Sequence, residues 1–85
     1  MNLTFSQNAW SDYLYWQKTD KTILKRVNIL IEDILRHPTE GIGKPEVLKY
    51  QLKGCYSRRI NQEHRLVYRI KNGDEIQIIA VRYHY

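Results

Sequence analysis

Residues 65–81 read RLVYRIKNGDEIQIIAV, and this stretch predicts a β-hairpin. Two runs rich in Ile, Val and Tyr flank the turn NGD at residues 72–74, and Asn-Gly favours tight hairpin turns because both residues tolerate positive φ angles. Upstream, the run CYSRRI at residues 55–60 predicts a further strand, which NQEH at residues 61–64 joins to the hairpin. Together the three strands predict an antiparallel meander whose last strand continues to Tyr85.

The first half of the chain predicts two helices that cover this sheet. Residues 7–19 follow a serine that can cap a helix, and their apolar side chains recur at helical spacing. Residues 21–37 carry a longer apolar stripe, formed by Ile23, Val27, Leu30, Ile31 and Ile34. Thr19 or Asp20 begins this second helix, and Pro38 ends it because proline disfavours a helical conformation in the residue before it. The short junction predicts an antiparallel helical hairpin.

The order of these elements predicts one α+β domain that spans residues 1–85. A short N-terminal strand at residues 2–5, the helical hairpin and then the meander form two layers, with the helices on one face of an antiparallel sheet. Residues 47–54, VLKYQLKG, are expected to add a short edge strand. The preceding GIGK, at residues 41–44, lacks the spacing of a phosphate-binding P-loop. Three aromatic residues of the first helix are expected in the core: Trp10, Tyr13 and Trp16.

The composition fits a small globular protein with an anionic partner. Of the 85 residues, 42% are hydrophobic and 27% are charged, which argues against disorder. The net charge of +5 divides into +1 on residues 1–39 (five basic, four acidic) and +4 on residues 40–85 (nine basic, five acidic). Such a basic excess attracts nucleic-acid phosphates.

The cysteine content and the apolar runs predict a cytoplasmic protein. The single cysteine, Cys55, excludes an internal disulfide and is expected to be a small buried apolar group. No signal peptide is evident in residues 1–20, which contain Asp12, Lys18 and Asp20. No apolar run approaches the roughly 18 residues of a membrane span, so no membrane association is expected.

Alternation along the strands places arginines together on one face of the sheet, because successive side chains point to opposite faces. In the strand at residues 65–70 the even positions are apolar, whereas the odd positions include Arg65 and Arg69. In the last strand one set of alternating positions comprises Ile76, Ile78, Ala80, Arg82 and His84. Both sets are apolar in the middle of that strand, so the pattern leaves open which face is the core. The arginine-bearing face is either a phosphate site or a solvated surface.

The polar residues of the second half match the requirements of metal-free RNA cleavage. A base must take the proton of a 2′-OH, an acid must protonate the leaving 5′-oxygen, and cations must hold the charge on the phosphorane. Histidine suits the acid, a carboxylate beside arginines suits the base, and arginine binds phosphate through paired donors. The candidates are Glu46, Lys49, Arg59, Arg65, His84 and Tyr85. No His, Cys and carboxylate cluster has metal-ligand spacing, so neither a metal nor another cofactor is expected.

Four segments of the chain closely resemble the YoeB toxins of bacterial toxin–antitoxin systems, which belong to the RelE/ParE superfamily. They are DYLYWQKTDK at residues 12–21, GIGKPEVLK at 41–49, YSRRINQEHRLVY at 56–68 and RYHY at 82–85. The resemblance implies a compact RelE-like fold similar to that of microbial ribonucleases. It also implies a ribosome-dependent endonuclease that cleaves mRNA in the ribosomal A site, a YefM-type antitoxin and a homodimer.

The same resemblance implies a role for each candidate residue. Glu46 corresponds to the general base, Arg65 to the residue that stabilises the transition state, and His84 to the general acid. Tyr85 corresponds to the terminal tyrosine that binds and orients RNA, whereas Lys49 and Arg59 match phosphate-contacting positions. The chain departs from the family only near this site, where Val47 replaces a frequent proline and Cys55-Tyr56 replace a bulkier aromatic pair.

Two other classes of function stay open at this point. A ParE-like toxin that acts on DNA gyrase would share the fold without requiring the three catalytic candidates together. A non-catalytic RNA-binding module would require only the charge and the tyrosines. Of the other histidines, His37 is expected to compensate the dipole at a helix C-terminus, and His64 is expected in a turn.

Overall fold

The computed structural model describes residues 1–83 and confirms the α+β architecture, with two helices packed on one face of a five-stranded sheet. The helices are α1 (Gln7–Thr19) and α2 (Lys21–Arg36). The strands are β1 (Asn2–Phe5), β2 (Glu46–Val47), β3 (Cys55–Arg59), β4 (Arg65–Lys71) and β5 (Glu75–Ala80), and they lie in the order β1-β5-β4-β3-β2. Neither helix is long and apolar enough to cross a membrane within residues 1–83.

Both helices begin at the capping residues that the sequence predicts. The Ser6 hydroxyl accepts a hydrogen bond from the Ala9 N–H at 3.0 Å. The Asp20 carboxylate accepts two at the start of α2, from the N–H groups of Thr22 and Ile23, each at 3.1 Å. These bonds satisfy N–H groups that lack partners within a helix, so Asp20 rather than Thr19 is the cap of α2.

The main core lies between the helices and one face of the sheet. The predicted stripe of α2 supplies four buried residues, Val27, Leu30, Ile31 and Ile34. In α1 the aromatic prediction holds for Trp16, which is 5% exposed and donates its indole N–H to the Val81 carbonyl oxygen at 2.7 Å. It is wrong for Trp10, which is 49% exposed and stacks its ring on the half-buried Tyr13 at the rim of the core.

The N-terminal strand makes the sheet mixed rather than wholly antiparallel. β1 pairs in parallel with β5, with Asn2 opposite Glu75 and Phe5 opposite Ile78. The helical hairpin and the connection after it carry the chain to the far edge of the sheet, where β2 begins. The outer edge of β5 is therefore available to β1, which covers backbone groups that would otherwise be unpaired.

The predicted edge strand at residues 47–54 is wrong in its extent. Strand β2 ends at Val47, and the chain then forms a 3-10 helix at Tyr50–Leu52. The reason is a second, smaller apolar cluster on the face of the sheet away from the helices. There Leu48 and Leu52 pack against Cys55, Val67, Ala80 and Ile79. Cys55 is 8% exposed, which confirms the prediction that it is a buried apolar group.

A β-bulge in β5 overturns the simple alternation that the sequence predicts for the last strand. Tyr68 pairs with Ile78, but the preceding residue of β4, Val67, pairs with Ala80, so Ile79 is an extra residue. Beyond the bulge Val81 joins the helix-facing core, whereas Ala80 joins the smaller cluster. Regular strand structure also ends at Ala80 instead of continuing to Tyr85, since residues 81–83 form bends.

Candidate functional site

Three of the predicted site residues share the face of the sheet opposite the helices. Glu46 is paired with Ser57 across β2 and β3, and Arg59 is paired with Arg65 across β3 and β4. Directly paired residues point to the same face with Cβ atoms about 5 Å apart, and Ser57 and Arg59 are two positions apart on one strand. The sheet register therefore brings one carboxylate and two guanidinium groups together on three adjacent strands.

Glu46 and Lys49 lie at the exposed edge of this face. Both side chains are exposed, and Lys49 directly precedes the 3-10 helix. The loop that leads to Glu46 is tied to β3 because the Arg59 N–H donates to the Gly43 carbonyl oxygen at 2.7 Å. Within residues 1–83 no three His, Cys, Asp or Glu side chains are grouped so that they could hold a metal ion.

A fully buried arginine, Arg58, fixes the loop between α2 and β2. Its guanidinium group makes five hydrogen bonds of 2.5–3.2 Å, to the Tyr68 hydroxyl, the Asp33 carboxylate and the carbonyl oxygens of His37, Glu40 and Ile42. The hydrogen bond from Arg58 lowers the pKa of the Asp33 carboxyl group. Burial raises the pKa of the Tyr68 hydroxyl, although its hydrogen bond with Arg58 opposes this shift. The neutral carbonyl groups and the single carboxylate thus compensate a charge that is removed from water.

His64 lies in the connection between β3 and β4, as the sequence predicts, but its side chain is buried. It is 6% exposed, and the edge of its ring meets the Trp16 ring with 4.7 Å between centroids. Its Nδ1 accepts a hydrogen bond from the Tyr83 N–H at 2.7 Å, and the Arg65 N–H donates to the Tyr83 carbonyl oxygen at 2.8 Å. Both backbone polar groups of Tyr83 are therefore held, although this residue has a positive φ of 67° that side chains of its size rarely adopt.

The residues just before Tyr83 are anchored to α1. The Arg82 guanidinium group lies 3.6 Å from the centroid of the Tyr15 ring, which is a cation–π distance. The Val81 N–H donates to the Asp12 carboxylate at 3.1 Å, and burial raises the pKa of that carboxyl group. The predicted acid, His84, and the predicted RNA-binding Tyr85 lie outside the described residues.

A cleft of about 370 Å³ opens between α2 and the loop that joins β3 to β4. Its walls carry three arginines, two amides and one apolar residue: Arg26, Arg59, Arg65, Asn61, Gln62 and Ile60. We call it the arginine cleft. Sequence alone missed Arg26, because nothing distinguishes it from the other basic residues of α2 until the packing of this helix against the loop is known.

Backbone carbonyl groups orient two of these arginines. The Arg26 Nη2 group donates to the Arg59 carbonyl oxygen at 3.4 Å. The Arg65 Nη1 group donates to the carbonyl oxygens of Asn61 at 3.0 Å and His64 at 3.3 Å. Within residues 1–83 the one arginine paired with a carboxylate is Arg58, with Asp33, so no carboxylate there neutralises the arginines of the cleft.

Comparisons with known proteins agree on one family. Residues 5–85 match the family described as the YoeB-like toxin of bacterial type II toxin–antitoxin systems. Toxin YoeB of Escherichia coli K12 is 56% identical over the whole length of both chains. Two solved structures from Staphylococcus aureus, a heterotetrameric YoeB–YefM complex and a YoeB dimer, are each 51% identical, with TM-scores of 0.90 and 0.91. Both cover 100% of this chain and 98% of the other.

Proposed function

Because the chain belongs to the family of YoeB-like toxins of bacterial type II toxin–antitoxin systems, we propose that it is a ribosome-dependent endoribonuclease. In this proposal it cleaves mRNA in the ribosomal A site and so inhibits translation. The observation that supports it best is the register-defined cluster of Glu46, Arg59 and Arg65 on one face of the sheet. This cluster combines a carboxylate that can take a proton with cations that can hold phosphate.

The proposed reaction is general acid–base catalysis without a metal ion. Glu46 takes the proton of the 2′-OH, and the resulting oxygen attacks the adjacent phosphorus. Arg65 stabilises the negative charge of the phosphorane, while Lys49 and Arg59 bind the phosphates. His84 protonates the departing 5′-oxygen. Tyr85 supplies a ring on which an unpaired base stacks.

The proposed partners follow from the S. aureus relatives, which are found as a YoeB–YefM complex and as a YoeB dimer. We infer a YefM-like antitoxin and a homodimer for this chain, and a cytoplasmic location where ribosomes are present. The +4 charge of residues 40–85 suits an acidic antitoxin segment that becomes ordered over the basic face.

Primer extension on mRNA that is being translated tests the proposed activity. Discrete cuts are expected with the wild-type chain, and they should be lost in Glu46→Ala, Arg65→Ala and His84→Ala, since each such group typically contributes about 10²–10⁴ in rate. Cys55→Ser should still cut, because the proposed reaction does not use the thiol. Retained antitoxin binding by each inactive variant is the control for folding.

Two results would contradict the proposal. If His84→Ala cuts mRNA as fast as the wild type, His84 is not the general acid. Inhibition of DNA gyrase supercoiling without any mRNA cut would instead identify a ParE-like toxin, which the same fold can support.

A further inference from the structure

We propose that Arg26 of α2 is a further RNA-binding residue and that the arginine cleft holds a phosphate of the RNA chain next to the cleaved bond. The inference rests on the proposed function and extends its phosphate-binding surface from the sheet to the helical layer. Of the residues that the family resemblance assigns, those within residues 1–83 all lie outside α1 and α2.

The charge of the cleft is the first observation that points to an anion. Three arginines contribute to the walls of one opening of about 370 Å³, and no Asp or Glu within residues 1–83 lines it. Like charges that line one cleft repel each other, and a bound anion offsets this repulsion. The fully buried arginine, Arg58, has a carboxylate partner in Asp33, whereas the three arginines of the cleft form no ion pair within residues 1–83.

The preorganisation of the cleft is the second observation. Backbone carbonyl groups orient two of its arginines: Arg26 bonds to that of Arg59, at the end of β3, and Arg65 bonds to those of Asn61 and His64 in the β3–β4 connection. Carbonyl groups fix a guanidinium group in place without cancelling its charge. An arginine has five N–H donors, and within residues 1–83 the Arg26 guanidinium group makes one hydrogen bond and that of Arg65 makes two, both from Nη1. Because Arg26 is half-buried, binding would immobilise little additional side chain.

The walls of the cleft favour RNA over an acidic protein segment. Ile60 is the only apolar residue among those that line it, and two neighbours offer amide groups suited to base edges, Asn61 and Gln62. A protein segment that docks as an amphipathic helix needs an apolar groove instead. Such a groove lies elsewhere, between β1 and the two helices, where Leu3, Phe5 and Trp10 contribute to its lining.

The experiment measures binding of a fluorescent 2′-O-methyl RNA 10-mer by anisotropy at several salt concentrations. This RNA cannot be cut because it lacks a free 2′-OH. Arg26→Gln should weaken binding about fivefold and reduce the slope of log K against log salt by about 0.7, the value for one lost phosphate contact on a single strand. Arg26→Lys should keep the slope. The matched control is Lys25→Gln, which removes a charge from the exposed preceding residue of α2 and should change neither quantity.

The inference is overturned if Arg26→Gln behaves like Lys25→Gln, or if the wild-type chain does not bind the RNA. It is also overturned if Arg26→Gln weakens only antitoxin binding, because the cleft would then serve a protein. An unchanged thermal midpoint for Arg26→Gln controls for folding. If RNA binding depends on Arg26 but the chain cuts no mRNA, the proposed nuclease activity is refuted and the RNA-binding site stands. If the chain cuts mRNA normally but RNA binding does not depend on Arg26, only the proposed site is refuted.

Discussion

Two adjacent arginines of β3 show that a shift of one position along a strand changes the role of a side chain. Arg58 is fully buried and uses all its donors within the protein, while Arg59 is exposed on the opposite face. Successive strand residues point to opposite faces, so chemically identical side chains serve either the interior or the ligand. Replacement of Arg58 therefore measures the integrity of the loop before Glu46, and replacement of Arg59 measures phosphate binding.

His64 offers a test of how the last described residue is held. His64→Ala removes the acceptor of the Tyr83 N–H, and His64→Asn keeps an acceptor at the same distance from Cβ. Both variants lose the ring contact with Trp16. We expect His64→Ala to cut mRNA at least about tenfold more slowly than His64→Asn, an effect of some 1.4 kcal/mol in the activation free energy, because Tyr83 directly precedes the proposed acid.

Cutting rates on translating ribosomes and urea unfolding of each variant provide the comparison. The two variants should differ by only about 1 kcal/mol in stability, the usual net contribution of one hydrogen bond. Equal cutting rates in the two variants would show that His64 only packs against Trp16 and does not position the end of the chain.

At the level of elements, the loop between α2 and β2 is specified by its contacts with the core. Gly43 has a φ of +81°, and a Cβ atom there would lie 2.8 Å from Leu30 Cδ2 and 3.1 Å from Arg58 Cβ. The second glycine of GIGK, a segment that lacks P-loop spacing, thus has a structural role. A glycine lets the backbone approach the buried arginine closely enough for the Arg59 N–H to reach the Gly43 carbonyl oxygen.

Alanine substitution of two glycines separates crowding from backbone strain. Gly54 has a similar φ of +91°, but a Cβ atom there would meet nothing within 4 Å. Both substitutions place an alanine at a positive φ, which strains the backbone. Only Gly43→Ala also crowds the core, and such overpacking typically lowers the stability by about 1–3 kcal/mol. Urea unfolding should therefore show Gly43→Ala to be the less stable variant by that margin. Equal losses would mean that Leu30 and Arg58 move aside freely.

At the level of the whole molecule, stability in acid should depend on the Arg58–Asp33 pair. The pKa of Asp33 is lowered in the folded chain, so the unfolded chain binds this proton first as the pH falls. The free energy of unfolding contributed by Asp33 is therefore present at neutral pH and is lost progressively below about pH 5.

Asp33→Asn should lower the stability at pH 7 by about 3 kcal/mol, because it leaves a buried guanidinium group without its counterion. Thermal unfolding between pH 7 and pH 3 should show this difference shrinking as the wild-type carboxylate becomes protonated. The control is Glu32→Gln, which removes the same charge from the exposed neighbouring residue. Parallel curves for the wild type and Asp33→Asn down to pH 3 would contradict the assigned role of the pair.

Local patterns in the sequence predict most of the elements, whereas pairing and packing between distant segments decide the features it misses. The apolar stripe of α2, the cap at Ser6 and the NGD turn depend on neighbouring residues, and the structure has them. The parallel pairing of β1 with β5 joins residues more than 70 positions apart. The place of Arg26 beside the β3–β4 loop depends on how a helix packs on that loop. The roles of the candidate site residues stay predictions.

Because of the bulge in β5, the direction of the chain after Ala80 could be changed without changing which residues face the core. Deleting one residue from a regular strand moves every later side chain to the opposite face of the sheet. Ile79, however, is the extra residue of the bulge and has no partner in β4. Its removal would therefore leave Val67 opposite Ala80 and Val81 in the core. What would disappear is the added twist and bend that a bulge introduces. For protein design, this strand can therefore be shortened by one residue without changing which residues form the core. A toxin shortened by this one residue would keep its interior and would direct Arg82 and Tyr83 differently.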